Sequence, residues 1–74
     1  MYQYMKISMS DVTHTNMGRN TKYPEIIGVD KSVFDKYEEG LTIKIKILEL
    51  DFKKYVQYKM FAEDEDTILL EMTN

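Results

Sequence analysis

Four carboxylates stand in a row at Glu63, Asp64, Glu65 and Asp66, and no basic residue follows them. Such a run offers two chemistries: hard oxygen ligands for calcium or magnesium, or a negative surface for a basic partner. Calcium loops alternate their ligands around a central glycine, and this run has neither feature. The stretch before it, 41–62, carries five lysines against two acids, Glu49 and Asp51. Charge therefore reverses at one expected turn, which concerns surface and partner rather than catalysis. A solvated hairpin turn is the plain alternative. With Glu71, the run is the candidate partner-binding site.

Mimicry of DNA can be tested by charge density. Duplex DNA carries one charge per about 1.7 Å, so an extended four-residue run of about 13 Å would face roughly eight phosphates. Four carboxylates fall short by half. Mimicry would need Glu71, Asp35, Glu38 and Glu39 as well, or a second subunit.

Two other patterns compete for a functional role. Lys44, Lys46, Lys53, Lys54 and Lys59, interleaved with Tyr55 and Tyr58, could form a stacking and phosphate-binding face for a single strand. Against it, lysine on a strand also guards a sheet edge from aggregation, and the acidic remainder of the chain would repel the ligand. The segment Ile47-Leu48-Glu49-Leu50-Asp51-Phe52 has apolar anchors at Leu48, Leu50 and Phe52. That spacing resembles the Gln-Leu-x-Leu-x-Phe/Leu peptides that dock on bacterial sliding clamps, with Ile47 in place of the glutamine. Alternate apolar residues are also what a buried strand requires.

No catalytic constellation is visible. His14 is the single histidine, set between Thr13 and Thr15, and adjacent loop residues do not make a nucleophile with its base. Gly18, Gly28 and Gly40 are isolated, so no phosphate-cradling loop is expected. Without cysteine the chain has neither a disulfide nor a cysteine zinc site. No cofactor and no metal are expected, and the chain reads as non-enzymatic.

The elements that would position these residues suggest an α+β domain. Met1, Met5, Ile7 and Met9 alternate with Tyr2, Tyr4, Lys6 and Ser8, as in a half-buried strand. Residues Thr13 to Pro24 show no period and read as a long loop. Glu25 to Val29 offers a short strand. Asp30 or Ser32 then supplies an N-cap, Val33, Phe34 and Tyr37 share a helical face, and Gly40 supplies a stop, predicting a helix of two to three turns. Leu41, Ile43, Ile45 and Ile47 share a strand face, with a phase slip after Ile47 that a bulge would explain. Strands Tyr55–Phe61 and Thr67–Met72 flank the acidic turn. The expected fold is a small antiparallel sheet of four strands, or five with Glu25–Val29, and one short helix packed on it.

Seventy-four residues allow a single domain, 1–74. A chain this short buries only about 60% of its unfolded surface, and without disulfides it must rely on packing or self-association. A homodimer is therefore expected. The net charge of −3 disfavours a general nucleic-acid binder, and no apolar run reaches the roughly 18 residues of a membrane span. The amino-terminal residues lack the order of a secretion signal, and the absence of cysteine fits a reducing cytoplasm.

Taken with the 47–52 pattern and the acidic turn, the chain resembles the small acidic host-takeover proteins of staphylococcal phages, and among them inhibitors of the host sliding clamp (DNA polymerase III β subunit). That resemblance implies a non-enzymatic inhibitor, working in the host cytoplasm, that blocks DNA loading or polymerase access. Two routes would serve. The acidic run and Glu71 would occupy the channel where DNA passes, or Leu48, Leu50 and Phe52 would enter the peptide groove. The channel is favoured here, on the expectation that the three apolar residues are needed for the core.

Overall fold

The computed structural model describes residues 3–18, 22–51 and 53–73. Six strands account for most of it: β1 (Gln3–Ile7), β2 (Val12–Met17), β3 (Pro24–Asp30), β4 (Thr42–Ile47), β5 (Val56–Ala62) and β6 (Thr67–Met72). They form one sheet in the order β1-β4-β5-β6-β3-β2, curved into a half-barrel. β1 runs parallel to β4, and every other neighbouring pair is antiparallel. The two regular turns of helix are 3-10 turns of three residues each, Met9–Asp11 and Lys31–Val33.

The expected α+β class is thus corrected to all-β. The segment read as a helix supplies only the Lys31–Val33 turn, capped by the Asp30 carboxylate accepting from the Ser32 amide. Beyond Val33 it continues without regular structure to β4. Two to three turns of helix are marginal in water without tertiary help. Here β-branched and aromatic residues, with Glu38 and Glu39 at the end where the helix dipole repels them, give no such help. Val33, Phe34, Tyr37 and Leu41 are nonetheless half-buried against the core, so the segment works as an irregular cover. Gly40 does take the left-handed backbone expected of it, at φ 83°, but in the turn that enters β4.

Three further expectations shift. The loop read over Thr13–Pro24 contains β2, an edge strand lacking apolar alternation because nearly all its side chains are exposed. The sheet is mixed, not antiparallel, because the first strand returns to lie beside β4. β4 ends at Ile47, and the phase slip marks a turn through Leu48 and Glu49 with no bulge. The Leu50 amide donates to the Ile47 carbonyl at 3.2 Å, closing that turn.

Where alternation was clear, the faces match. Ile43, Ile45 and Ile47 of β4 are buried, as are Val56, Tyr58 and Met60 of β5. Ile68 and Leu70 of β6 are buried too, in a segment whose apolar residues run consecutively and for which no face was expected. Ile27 and Val29 of β3 and Ile7 of β1 complete the core. Gly28 is buried for another reason: it pairs with His14 on β2, whose ring lies over it so closely that a Cβ would stand 2.0 Å from the imidazole. Around the first 3-10 turn, Ser8 and Asp11 form a reciprocal cap. Glu49 fastens that turn to the chain leaving β4, accepting from the Ser8 hydroxyl and, at 2.9 Å, from the Met9 amide.

Tyr58 carries a long-range polar contact within the core. Its side chain is fully buried and its hydroxyl donates to the Pro24 carbonyl at 2.7 Å, tying β5 to the start of β3. Tyr58→Phe leaves that carbonyl without its partner and should cost about 1–2 kcal/mol. Chemical denaturation of the two proteins would measure it, and equal stability would show that the bond contributes nothing net.

Candidate interaction surfaces

The acidic run forms the β5–β6 connection, a succession of bends between Ala62 and Thr67. It is a compact knob, not the extended rail assumed in the charge-density comparison. All four of its residues are exposed, yet their carboxylates differ. Asp64 shapes the turn, its Oδ1 accepting from the amides of Asp66 and Thr67, both at 2.8 Å. The Asp66 amide first, with Thr67 adding, holds that carboxyl below the ordinary carboxylate range. Glu63 points toward His14, with Oε1 3.8 Å from Nε2. Glu65 and Asp66 have no side-chain partner of that kind among the described residues.

The fold brings other acids beside this knob. Asp30 pairs in register with Thr67, and the Lys31 amide donates to the Asp66 carbonyl at 2.6 Å. The Asp30 carboxyl is held below its ordinary value, chiefly by the Ser32 amide. Glu38 and Glu39 arrive from the covering segment, because the Gly40 amide donates to Met60, two residues short of the end of β5. Lys31 stands among them, and its ammonium lies 4.9 Å from the centre of the Tyr37 ring.

Two acids from the charge-density comparison are elsewhere. Glu71 lies on the outer face of β6, in register with Lys59 of β5 and four residues from Thr67, about 13 Å along the strand. Asp35 lines a cleft against β1 with Tyr4 and Phe34. The acidic corner is therefore Glu63, Asp64, Glu65 and Asp66 with Asp30, Glu38 and Glu39. Asp30 escaped the sequence reading because its neighbourhood depends on the β3–β6 register.

The lysines gather elsewhere, on the convex side of β1, β4 and β5. Tyr4 is in register with Lys44, Lys6 with Lys46, Lys44 with Gln57 and Thr42 with Lys59. The Tyr4 ring meets Tyr55 edge to face, with centroids 5.2 Å apart, and the Lys44 ammonium lies 5.9 Å from the Tyr4 centroid. Lys53 and Lys54 are exposed in the β4–β5 connection. Tyr58, named with these residues in the sequence reading, belongs to the core. Tyr4 and Lys6 join them. The alternation of the first strand already placed both opposite the buried face, which was the available signal.

The clamp-motif residues do not share a surface. Leu48 is 56% exposed in the turn after β4, which corrects the expectation that it is needed for the core. Leu50 is half-buried against the core, and Phe52 lies outside the described residues. Among the described residues no group of three carboxylate or imidazole side chains is placed to hold a metal ion. Nor is any helix long and apolar enough to cross a membrane. No family model, no curated protein and no solved structure matches the chain.

Asp64, Asp30 and Glu49 all have carboxyl pKa values lowered by hydrogen bonds made only in the folded chain. Each therefore stabilises the fold fully above its unfolded value, near 3.8 for the aspartates, and loses that effect as pH falls through the folded value. Denaturant titrations should show stability dropping below about pH 4. Asp64→Asn, which cannot titrate, should flatten part of that drop; an unaltered profile would show that the turn carboxylate is not linked to folding.

Proposed function

We propose that this chain is a non-enzymatic inhibitor that binds the bacterial DNA sliding clamp through its acidic corner, excluding DNA and arresting host replication. One observation carries the reading: the Glu63–Asp66 knob projects beside Asp30, at the end of the sheet that Glu38 and Glu39 also reach. A channel built for phosphates is lined with fixed cations, and an exposed cluster of carboxylates is complementary to it. The resemblance to phage host-takeover proteins supplies the identity of the channel.

A knob of four carboxylates covers less charge than the DNA it would displace, so the flanking acids matter. A homodimer placing two such corners in one channel would double the charge, and this is the assembly we favour. The place of action is the host cytoplasm. Glu71 is a secondary contact in this scheme, since Lys59 stands beside it.

Biolayer interferometry against purified clamp tests the reading. Affinity should fall steeply with salt, because the Debye length shrinks from about 10 Å at 0.1 M to about 3 Å at 1 M. Glu65→Gln with Asp66→Asn should weaken binding at least about tenfold while shifting stability by no more than about 0.5 kcal/mol, as expected for surface sites. Unchanged affinity would remove the acidic corner as the contact. Leu48→Ala serves as the contrasting variant: loss of binding there, with the acids intact, would transfer the contact to the peptide groove.

A further inference from the structure

The geometry points to a second binding surface: the outer face of β1 and β4, flanked by β5, is a platform for single-stranded nucleic acid, with Lys6, Lys44 and Lys46 on the phosphates and Tyr4 under a base. The usual reason for lysine on a strand is protection of an open sheet edge. Lys44 is not at an edge, since it is in register with Tyr4 of β1 on one side and Gln57 of β5 on the other. Lys6 is in register with Lys46, and like charges directly opposite on one face destabilise a sheet. The outward residues of the three strands are Tyr4, Lys6, Thr42, Lys44, Lys46, Gln57, Lys59 and Phe61, without one carboxylate among them. Glu71 of β6 stands in register with Lys59, whereas Lys6 and Lys46 face each other with no carboxylate in register. A phosphate backbone is the ligand that relieves the repulsion.

Aromatic placement argues for a single strand. Tyr4 is 62% exposed and meets Tyr55 edge to face, with the Lys44 ammonium 5.9 Å from its centroid, so exposed aromatic surface stands beside a cation. Unstacked bases pack on such rings, whereas bases within a duplex cannot reach them. Reading a duplex major groove takes a helix or a protruding two-stranded ribbon, and these lysines lie on the face of a sheet. The acidic corner does not cancel the site. From Ala62 back to Gln57, level with Lys44, is five residues, about 17 Å along β5 and roughly two Debye lengths at physiological salt.

Fluorescence anisotropy with a labelled single strand of about 12 nucleotides tests this, a length within the range that sheet-based platforms occupy. Binding should weaken with salt at a log–log slope of about −2, as three lysine–phosphate contacts imply. Lys44→Gln with Lys46→Gln should cost at least about tenfold and reduce the slope by about two-thirds. Should that pair alter the unfolding midpoint, Lys6→Gln on the edge strand provides the same reading with less risk to the fold. Tyr4→Ala should cost about tenfold without changing the slope. Binding of DNA or RNA strands supports the platform equally, and their ratio reports whether the 2′-hydroxyl is read. Tighter binding of duplex, displacement by polyglutamate at equal charge, unaltered affinity in the lysine variants, or no binding at low salt would each overturn it. Glu65→Gln with Asp66→Asn should leave this binding unchanged, so its outcome is separable from that of clamp binding.

Discussion

A sheet with one apolar face and no helix to lay across it has to cover that face with itself. This constraint governs the molecule. β4 shows it most plainly: Ile43, Ile45 and Ile47 point inward and Thr42, Lys44 and Lys46 outward, with β1 on one side and β5 on the other. Curvature of the six strands turns the isoleucine row toward Ile27, Val29, Ile68 and Leu70 contributed by β3 and β6. The remaining opening is covered by Val33, Phe34, Tyr37 and Leu41 from the irregular segment and by Leu50. The register that makes the core also decides which side chains are left outside, so both candidate surfaces are consequences of it.

Charge follows from that alternation and from the turns. Along β4 and β5 every second residue lies on the outer face, and those positions are filled with lysine, glutamine, threonine and one phenylalanine. The carboxylates are concentrated where the sheet ends, in the β5–β6 turn and in the chain that enters β4. Some of them have structural duties. Asp64 holds its turn, Asp30 caps the Lys31–Val33 turn and Glu49 binds the Met9–Asp11 turn. Glu65, by contrast, takes part in no hydrogen bond or ion pair given by the geometry of that turn, and it is the most expendable of the four for folding.

Strand faces were legible where each inward residue was apolar and each outward one polar, as in Thr42–Ile47 and Val56–Met60, and β6 runs over the residues expected for the last strand, Thr67–Met72. β2 was not legible, because an edge strand with both faces open to water needs no apolar period. The failed helix has a different cause. Val33, Phe34 and Tyr37 carry a helical spacing, but an apolar segment crossing a curved sheet is buried in any conformation that reaches it, and periodicity cannot say which. For the surfaces, the acidic run and the lysines were visible as letters. Their neighbours Asp30, Tyr4 and Lys6 depend on long-range register, which a single sequence does not state.

The two charged regions also bear on stability. Lysines stacked across β1 and β4, and acids crowded at the β5–β6 end, each raise the energy of the folded chain by self-repulsion. Screening relieves that repulsion, so added salt favours the fold while weakening contacts with any charged partner. Folding and binding thus respond to ionic strength with opposite sign. A domain of this size has few kilocalories to lose, since its core is small and no disulfide supports it. Mixing the signs across the surface would have stabilised it at no cost to the core, because every residue concerned lies on the outer face or in a turn. Lys59 beside Glu71 is such a mixed pair; where like charges stay together, at Lys6 with Lys46 and in the β5–β6 turn, is where partners are to be sought.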